Sequence, residues 1–407
     1  MRNTAAALLA ILLLAQFSHC TSYGRSLVKL ERVWTIDGGG NYSFDGALVM
    51  NNSDQKVLEI TTTPQMEVAE GPEGVFRVEY NGSAPVLRAD AIVEVNFSTG
   101  IRSDAPLERL NLSSTNLTAW TPGIEAAAEG QADNSSTLGT ITNLTNFVHD
   151  YITYNVSYFG AVLPADEVFV NRQGVCVEYS HLLISMARRL GLQTRFVSGY
   201  VNGGAWQPHA WVEITVPGYG RPLSVDPTFG EVGELDNSHV AMGTGADQSD
   251  IYDRIQSVSR MNVTVSDSAE FMNESADAKG LTITYGFNQS SGVLEMIMGN
   301  ARQEYVYATY ELLLPEQLGL NERKVILLGP EEIVRMDYKI NMSDFEPGYR
   351  YTVPLAASLG DSKISTALVI EPAQPALPPQ PAATPSGLCA PAVILLALII
   401  NLYLSRQ

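Results

Sequence analysis

The sequence predicts a multidomain α+β protein. A central α+β domain at residues 125–245 is flanked by antiparallel β-sandwich domains at 26–121 and 261–370, followed by a Pro-rich stalk at 371–387 and a C-terminal membrane segment at 388–404. Three observations support this prediction. The length of 407 residues exceeds one ordinary domain, both flanks contain short alternating apolar runs, and helical periodicity is confined to the centre.

The composition excludes two broad classes of protein. The chain carries 44 acidic and 25 basic side chains, which gives a net charge of −19. A nucleic-acid-binding protein would need a basic face for the phosphates, so no nucleic-acid partner is predicted. Only 17% of residues are charged and 45% are hydrophobic, a combination that argues against wholesale disorder.

The first 20 residues are typical of a secretory signal peptide. A basic start precedes an apolar run at 5–15, and Ser18 and Cys20 are small residues suited to cleavage before Thr21. An uncleaved membrane anchor is the alternative, although the apolar run is short for a membrane span.

Both flanking domains are predicted from short β runs separated by Gly- and Asn-containing turns. In the first domain the runs are 33–36, 47–50, 57–60, 75–78 and 91–95. In the last domain they are 281–285, 293–297, 305–310, 325–328, 349–353 and 366–370. The first domain shows no catalytic grouping, and no convincing repeat relates the two flanking domains.

The central domain combines helices and strands. Apolar residues at helical spacing predict a helix over about 138–152, with Ser135 or Ser136 as N-cap. A second helix is predicted over 177–190, and Gly191 suits the left-handed residue that ends it. Three predicted strands follow the second helix, at 195–201, 209–216 and 223–226.

Cys176 is the candidate nucleophile. Of the three cysteines, Cys20 lies in the signal peptide and Cys389 in the membrane segment, so Cys176 has no disulfide partner in the ectodomain. A buried apolar thiol is the alternative, but Cys176 opens a helix whose N-terminus favours thiolate, and Gly174 permits a tight approach to that helix. His209 and Asp226 lie on neighbouring predicted strands, where they can serve as base and orienting carboxylate.

The same region resembles the transglutaminase-like superfamily. The resemblance rests on four blocks in order, at residues 174–179, 191–200, 209–213 and 225–228. It implies a papain-like α+β fold in which Cys176 is the nucleophile, His209 the general base and acid, and Asp226 the partner of the imidazole. It also implies an oxyanion site near the Cys176 backbone N–H, without naming a side-chain donor.

Other candidates are weaker. His181 is interpreted as structural. Trp206 and Trp211 either line an acyl-binding cleft or take part in aromatic packing. Glu178 is interpreted as a solvated acid in the first turn of its helix, and residues 247–253 are interpreted as solvated surface. No His-Glu-x-x-His, Cys-x-x-Cys or phosphate-binding glycine loop occurs, so no metal or other cofactor is predicted.

The C-terminus predicts attachment to a membrane. Residues 371–387 contain six of the 21 prolines, which suits a semi-rigid stalk, and 388–404 are mostly apolar. These two segments, together with Gly387, Cys389 and Arg406 near the end of the chain, resemble the C-terminal sorting signals of archaeal surface proteins. Cys389 is either a lipid acceptor or a thiol at the membrane edge.

An excess of N-glycosylation sequons indicates an extracellular surface. Thirteen of 22 asparagines begin an Asn-X-Ser/Thr sequon, whereas chance would give about three. The candidate glycosylation sites are Asn41, Asn51, Asn81, Asn96, Asn111, Asn116, Asn134, Asn143, Asn155, Asn262, Asn273, Asn288 and Asn341.

The sequence therefore predicts an enzyme on the extracellular face of a cell membrane. It would act on protein or peptide amides through a cysteine thioacyl intermediate, with hydrolysis slightly favoured over transfer to an amine. A non-catalytic adhesion or envelope scaffold, using the central domain for binding, is the alternative. Substrate identity and oligomeric state are left open.

Overall fold

The computed structural model describes residues 24–96, 110, 113–217, 222–233, 235, 237–276, 280–303 and 305–372. The predicted signal peptide, all but the first two residues of the predicted stalk, and the predicted membrane segment at 388–404 lie outside these residues. In the part of the chain that is described, no helix is long and apolar enough to cross a membrane. Secretion, anchoring and the likeness to archaeal sorting signals therefore stay predictions.

The described chain is mostly β-strand, and its four helices all lie in the central region. The helices are α1 Pro122–Gln131, α2 Thr137–Tyr151, α3 Ala165–Asn171 and α4 Cys176–Arg189. The strands before and within this region are β1 Gly24–Asp37, β2 Tyr42–Met50, β3 Gln55–Thr63, β4 Glu67–Glu70, β5 Val75–Gly82, β6 Val86–Asn96, β7 Thr153–Tyr154, β8 Gln173–Gly174, β9 Thr194–Asn202, β10 Trp206–Ile214, β11 Leu223–Asp226, β12 Glu231–Val232 and β13 Val240–Gly245. The remaining strands are β14 Arg254–Ser257, β15 Asn262–Ala276, β16 Leu281–Asn288, β17 Val293–Asn300, β18 Val306–Leu313, β19 Glu322–Leu328, β20 Ile333–Lys339, β21 Tyr351–Leu359 and β22 Ser362–Ile370.

The first sandwich is formed by two antiparallel sheets with strand orders β15-β1-β6-β3 and β14-β2-β5-β4. Alternate side chains of β1 and β6 point inward, and Trp34, Leu48 and Leu87 are fully buried between the sheets. This sandwich is discontinuous in sequence, because β14 and β15 follow the central domain.

The position of β15 differs from the sequence prediction, which assigns residues 262–276 to the last sandwich. In the structure β15 pairs with β1 along its whole length, from Gly24 opposite Ala276 to Asp37 opposite Asn262. The alternating pattern that identifies a strand does not specify its partner, because partner choice depends on long-range packing.

The central domain places its helices against a five-stranded antiparallel sheet of order β12-β11-β10-β9-β13. Helix α4 is buried along almost its whole length, and Gly191 ends it with a φ of +80°, as predicted. One set of sheet residues, including Phe196 and Val212, packs against the helices. The alternate set, including Val197 and Trp211, packs against the first sandwich.

The last sandwich consists of sheets with strand orders β16-β17-β20 and β19-β18-β21-β22. It contacts the central domain through Tyr307 and Val325, which belong to the apolar core under the helices. Asn146 of α2 joins this contact, because its Oδ1 accepts from Val325 N–H at 2.9 Å and its Nδ2 donates to the Val325 carbonyl at 3.3 Å. The central domain is therefore held between two sandwiches.

Candidate active site

Cys176 is the first residue of α4 and its side chain is nearly buried. The preceding residue, Val175, has extended backbone angles, and its N–H donates to Glu178 Oε2 at 2.9 Å. Glu178 Oε1 accepts from Leu163 N–H at 3.1 Å. The Glu178 carboxylate thus holds the chain on which the thiol is presented.

The prediction that Glu178 is a solvated acid is wrong, since the residue is fully buried. Burial raises the pKa of Glu178, although the backbone N–H groups of Val175 and Leu163 oppose the shift. Gly174 makes this packing possible, because a Cβ at that position would lie 2.3 Å from Glu178 Cβ. The predicted close approach of Gly174 to the helix is confirmed.

His209 and Asp226 meet as predicted. Their strands pair antiparallel with Val212 opposite Val225, and His209 Nε2 lies 2.7 Å from Asp226 Oδ2. Both side chains are almost fully buried. The Cys176 side chain also interacts with His209, so the imidazole has both the thiol and the carboxylate as neighbours.

The electrostatics favour a charged imidazole. Burial alone would lower the pKa of His209, but the charge and hydrogen bond of Asp226, assisted by Cys176, raise it to about 9. Burial would likewise raise the pKa of Asp226, yet the hydrogen bonds and charges of His209 and His239 hold it well below its usual range. The site therefore keeps Asp226 ionised and His209 available as an acid.

His239 is a site residue that the sequence prediction missed. Its Nε2 lies 3.2 Å from the same Asp226 Oδ2, and its side chain is fully buried. The two imidazole rings lie 5.6 Å apart at 61°. His239 directly precedes β13, and no motif around it marks it, so only the fold brings it to the site.

The other oxygen of Asp226 is bound by the loop that follows it. We call residues 226–230 the Asp226 loop. Asp226 Oδ1 accepts from Thr228 N–H at 2.7 Å and from Phe229 N–H at 3.3 Å. The Phe229 ring stacks on His209 at 5.1 Å and 22°. The loop therefore fixes both the carboxylate and one face of the imidazole.

His209, Asp226 and His239 are also the residues that could hold a metal ion, since one ligating atom of each lies within 4.8 Å of the others. The distances of 2.7 and 3.2 Å between nitrogen and oxygen are those of hydrogen bonds. Ligands of one tetrahedral zinc ion would lie roughly 3.3 Å apart. The contact between His209 and Asp226, at 2.7 Å, is shorter than this spacing and is therefore a hydrogen bond, whereas the 3.2 Å distance from His239 to Asp226 is compatible with either arrangement.

A loop with exposed apolar side chains lies beside the nucleophile. Asn155 N–H donates to the Gly174 carbonyl at 2.9 Å, and Leu163 N–H binds Glu178, so both ends of the loop at 155–163 are attached next to Cys176. Within it, Val156 is 72% and Phe159 67% exposed. This loop forms an apolar rim on which a substrate could pack.

His181 has the structural role that the sequence predicts. Its Nδ1 lies 2.9 Å from the Leu163 carbonyl, and its Nε2 accepts from Gln248 N–H at 3.4 Å. A carbonyl only accepts and an N–H only donates, so His181 is neutral with its proton on Nδ1. Burial lowers its pKa, in agreement with this state.

Trp206 and Trp211 pack against the first sandwich. The Trp206 ring lies 4.9 Å from that of Phe271 on β15, and Trp211 is buried in the core that the sheet shares with the sandwich. Of the two predicted possibilities, the structure supports aromatic packing.

The prediction of a solvated surface at 247–253 is wrong for Asp247 and Asp253, whereas Asp250 is exposed. Asp247 is buried and its Oδ1 accepts from Ser249 N–H at 2.7 Å. Asp253 Oδ2 accepts from Trp34 Nε1 at 2.7 Å. These acids are retained as hydrogen-bond acceptors for a turn and for the first sandwich, a role that polarity alone does not reveal.

The described sequon asparagines are all accessible to some degree. Ten are exposed, Asn51 and Asn155 are partly exposed, and Asn111 lies outside the described residues. Accessibility is necessary for glycosylation, which stays a prediction at every site.

Comparison with known proteins identifies the central region. Residues 125–227 match the model of the transglutaminase-like superfamily, which confirms the predicted resemblance for this segment. Uncharacterized proteins of Mycobacterium bovis and Mycobacterium tuberculosis are each 24% identical over 235 residues, covering 54% of this chain and 70% of the relative. A solved structure from Cytophaga hutchinsonii, provisionally named a cysteine protease, aligns at 17% identity over 63% of this chain and 94% of its own, with a TM-score of 0.46. Red sea bream transglutaminase aligns at 10% identity over 86% of this chain and 78% of its own, with a TM-score of 0.21.

Proposed function

We propose, from the transglutaminase-like domain at residues 125–227, that this protein catalyses acyl transfer from protein or peptide amides through a cysteine thioester. The observation that carries the proposal is the buried arrangement in which His209 contacts Cys176 on one side and Asp226 Oδ2, at 2.7 Å, on the other. A nucleophile, a base and an orienting acid in that order form a catalytic triad.

In the first step the Cys176 sulfur forms a bond to the amide carbonyl carbon. The carbonyl oxygen becomes an oxyanion beside the backbone N–H of Cys176 at the start of α4. Its collapse breaks the C–N bond, and the His209 imidazolium gives its proton to the departing amine. The products of this step are a thioester on Cys176 and a free amine.

In the second step neutral His209 takes a proton from the acceptor as the acceptor attacks the thioester. Water as acceptor releases an acid, whereas an amine forms a new amide, and either path returns the thiol. The catalytic residues are the same in both paths, and hydrolysis is our proposal because it needs no second substrate site.

Asp226 acts on both steps through His209. Its ionised carboxylate fixes the Nε2–H tautomer and stabilises the imidazolium that donates to the leaving group. His239 supports Asp226 by donating to the same oxygen. A binding module that lacks catalysis would have no use for a buried carboxylate, two imidazoles and a thiol in this order.

We also propose that the enzyme acts at the extracellular face of a cell membrane, with glycans on its exposed sequons. This part of the proposal rests on the predicted signal peptide, the predicted segment at 388–404 and the accessibility of the sequon asparagines.

The test compares the wild-type protein with a Cys176→Ala variant, using casein and a fluorescent amine. New casein fragments made by the wild type alone support hydrolysis, and incorporation of the amine supports transfer. If the wild type produces neither, and its thiol is alkylated only as fast as a free cysteine, the scaffold alternative replaces this proposal.

A further inference from the structure

We propose that Arg323, on β19 of the last sandwich, is a positioning residue for the active site of the central domain. It would act by holding the Asp226 loop from outside. This inference rests on the proposed function, because it assigns a role in the reaction that the triad carries out.

Arg323 and His149 together bind three consecutive carbonyls of the Asp226 loop. Arg323 Nη2 donates to the Phe229 carbonyl, and Arg323 Nη1 donates to His149 Nε2 at 2.9 Å. His149 Nδ1 lies 3.2 Å from the Pro227 carbonyl and 3.1 Å from the Thr228 carbonyl. One guanidinium from another domain thus reaches the loop directly and through an imidazole on α2.

The donor and acceptor roles in this contact are fixed by chemistry. Arginine only donates, so His149 Nε2 must accept, and carbonyls only accept, so His149 Nδ1 carries the proton. His149 is therefore neutral. Burial and then the charge of Arg323 lower its pKa, in agreement with this tautomer.

The carbonyl of Gly230, the last residue of the loop, is also bound by the last sandwich. Thr309 Oγ1 on β18 donates to the Gly230 carbonyl at 3.2 Å. Gly230 has a φ of +65°, and a Cβ at this position would lie 2.7 Å from Arg323 Nη1. The backbone therefore turns closely around the guanidinium, where a glycine is needed.

The inner side of the same loop sets the catalytic geometry. Thr228 and Phe229 donate their N–H groups to Asp226 Oδ1, and the Phe229 ring covers His209. The carbonyls of residues 227–230 are bound from outside. A shift of the loop would therefore move the carboxylate and the ring that hold the imidazole, and such shifts reduce rates strongly.

The test uses the full chain and two arginine variants. Arg323→Ala removes both contacts, whereas Arg323→Lys keeps the charge but lacks the fork needed to reach Phe229 and His149 together. Lys324→Ala is the matched control, because it removes the neighbouring cation of β19, whose partner is Glu322 and not the loop. Thermal unfolding shows that each variant is folded.

The readout is the rate of Cys176 alkylation by iodoacetamide from about pH 5 to pH 10, with peptide mass spectrometry to assign the modified cysteine. We expect both arginine variants to react roughly ten- to hundredfold more slowly at neutral pH, with a changed dependence of the rate on pH. Lys324→Ala should match the wild type. A purely structural role for Arg323 would lower thermal stability and leave the pH profile unchanged.

A wild-type profile for folded Arg323→Lys, or for Arg323→Ala where that variant folds, overturns this inference and leaves the proposed function intact. If the wild type itself reacts only as an ordinary thiol and performs no acyl transfer, the proposed function and this inference fail together.

Discussion

Replacing Asp226 with asparagine tests the electrostatic core of the site. Against the effect of burial, the carboxylate and, to a smaller extent, Cys176 raise the pKa of His209 from 6.5 to about 9, which corresponds to roughly 3 kcal/mol in favour of the imidazolium. Asparagine keeps the shape and an acceptor for the loop N–H groups but removes the charge. Burial is then opposed only by Cys176, and the pKa of His209 falls.

The sign of the effect follows from this shift. In the wild type the imidazolium is complete below about pH 6.5 and is lost as the pH rises through about 9. Over that range a positive charge lies beside Cys176. In Asp226→Asn the pKa of His209 is lower, so this charge is lost at a lower pH than in the wild type.

The expected magnitude is roughly tenfold near pH 7.5. His209 is almost fully protonated there in the wild type, whereas an imidazole with the ordinary pKa of 6.5 is about one part in ten protonated, so alkylation of Cys176 should fall by about that factor in Asp226→Asn. The assay is the pH profile of Cys176 alkylation by iodoacetamide, followed at the level of the modified peptide. Asp166→Asn, an exposed change in the first turn of α3, is the control for the loss of one charge.

The reasoning would be refuted by a folded Asp226→Asn protein with the wild-type profile. That result would mean that the carboxylate does not set the charge state of His209, despite the 2.7 Å contact between them. A uniform drop in rate at every pH, with no shift of the profile, would likewise count against a role through ionisation.

Two further predictions concern groups around the triad. His239→Gln removes one hydrogen bond to Asp226 Oδ2. We expect alkylation of Cys176 at neutral pH to slow by a few-fold, since His209 still binds that oxygen. An effect as large as that of Asp226→Asn would contradict the supporting role of His239. Gly174→Ala places a methyl group against Glu178, and we expect the free energy of unfolding, measured by urea denaturation, to fall by about 1–3 kcal/mol. Gly191→Ala, just after the end of α4, is the control. Because the space around its Cβ is open, this change should cost no more than the strain of its positive φ. Equal losses for the two glycines would argue against the close packing of Gly174.

Local pattern was sufficient to predict the elements that carry the triad. The helix after Cys176 and the strands around His209 and Asp226 are recognisable because helices and strands impose periods of 3.6 and 2 on the sequence. Gly174, Gly191 and Ser136 mark a close approach, a helix end and a helix start, and the structure confirms each of them.

Long-range contacts could not be predicted in the same way. His239 and Arg323 reach the site only through the packing of β13 and β19, and neither has a local motif. Glu178 and Asp253 look like surface acids, because sequence polarity does not report the buried N–H groups that they bind. The pairing of β15 with β1 could not be predicted either, since an alternating strand fits any complementary sheet edge.

The pairing of β1 with β15 has a consequence for how the chain folds. Asp37 lies opposite Asn262, so 224 residues, from 38 to 261, separate two strands that must align along their whole length. Closing so large a loop in an unfolded chain is entropically unfavourable and slow. If the central domain folds first, fewer flexible residues separate the two strands, and the remaining closure costs less entropy. In newly made chains the central domain should therefore fold before the first sandwich is complete. Strand β1 lacks its partner β15 until residue 276 has been synthesised.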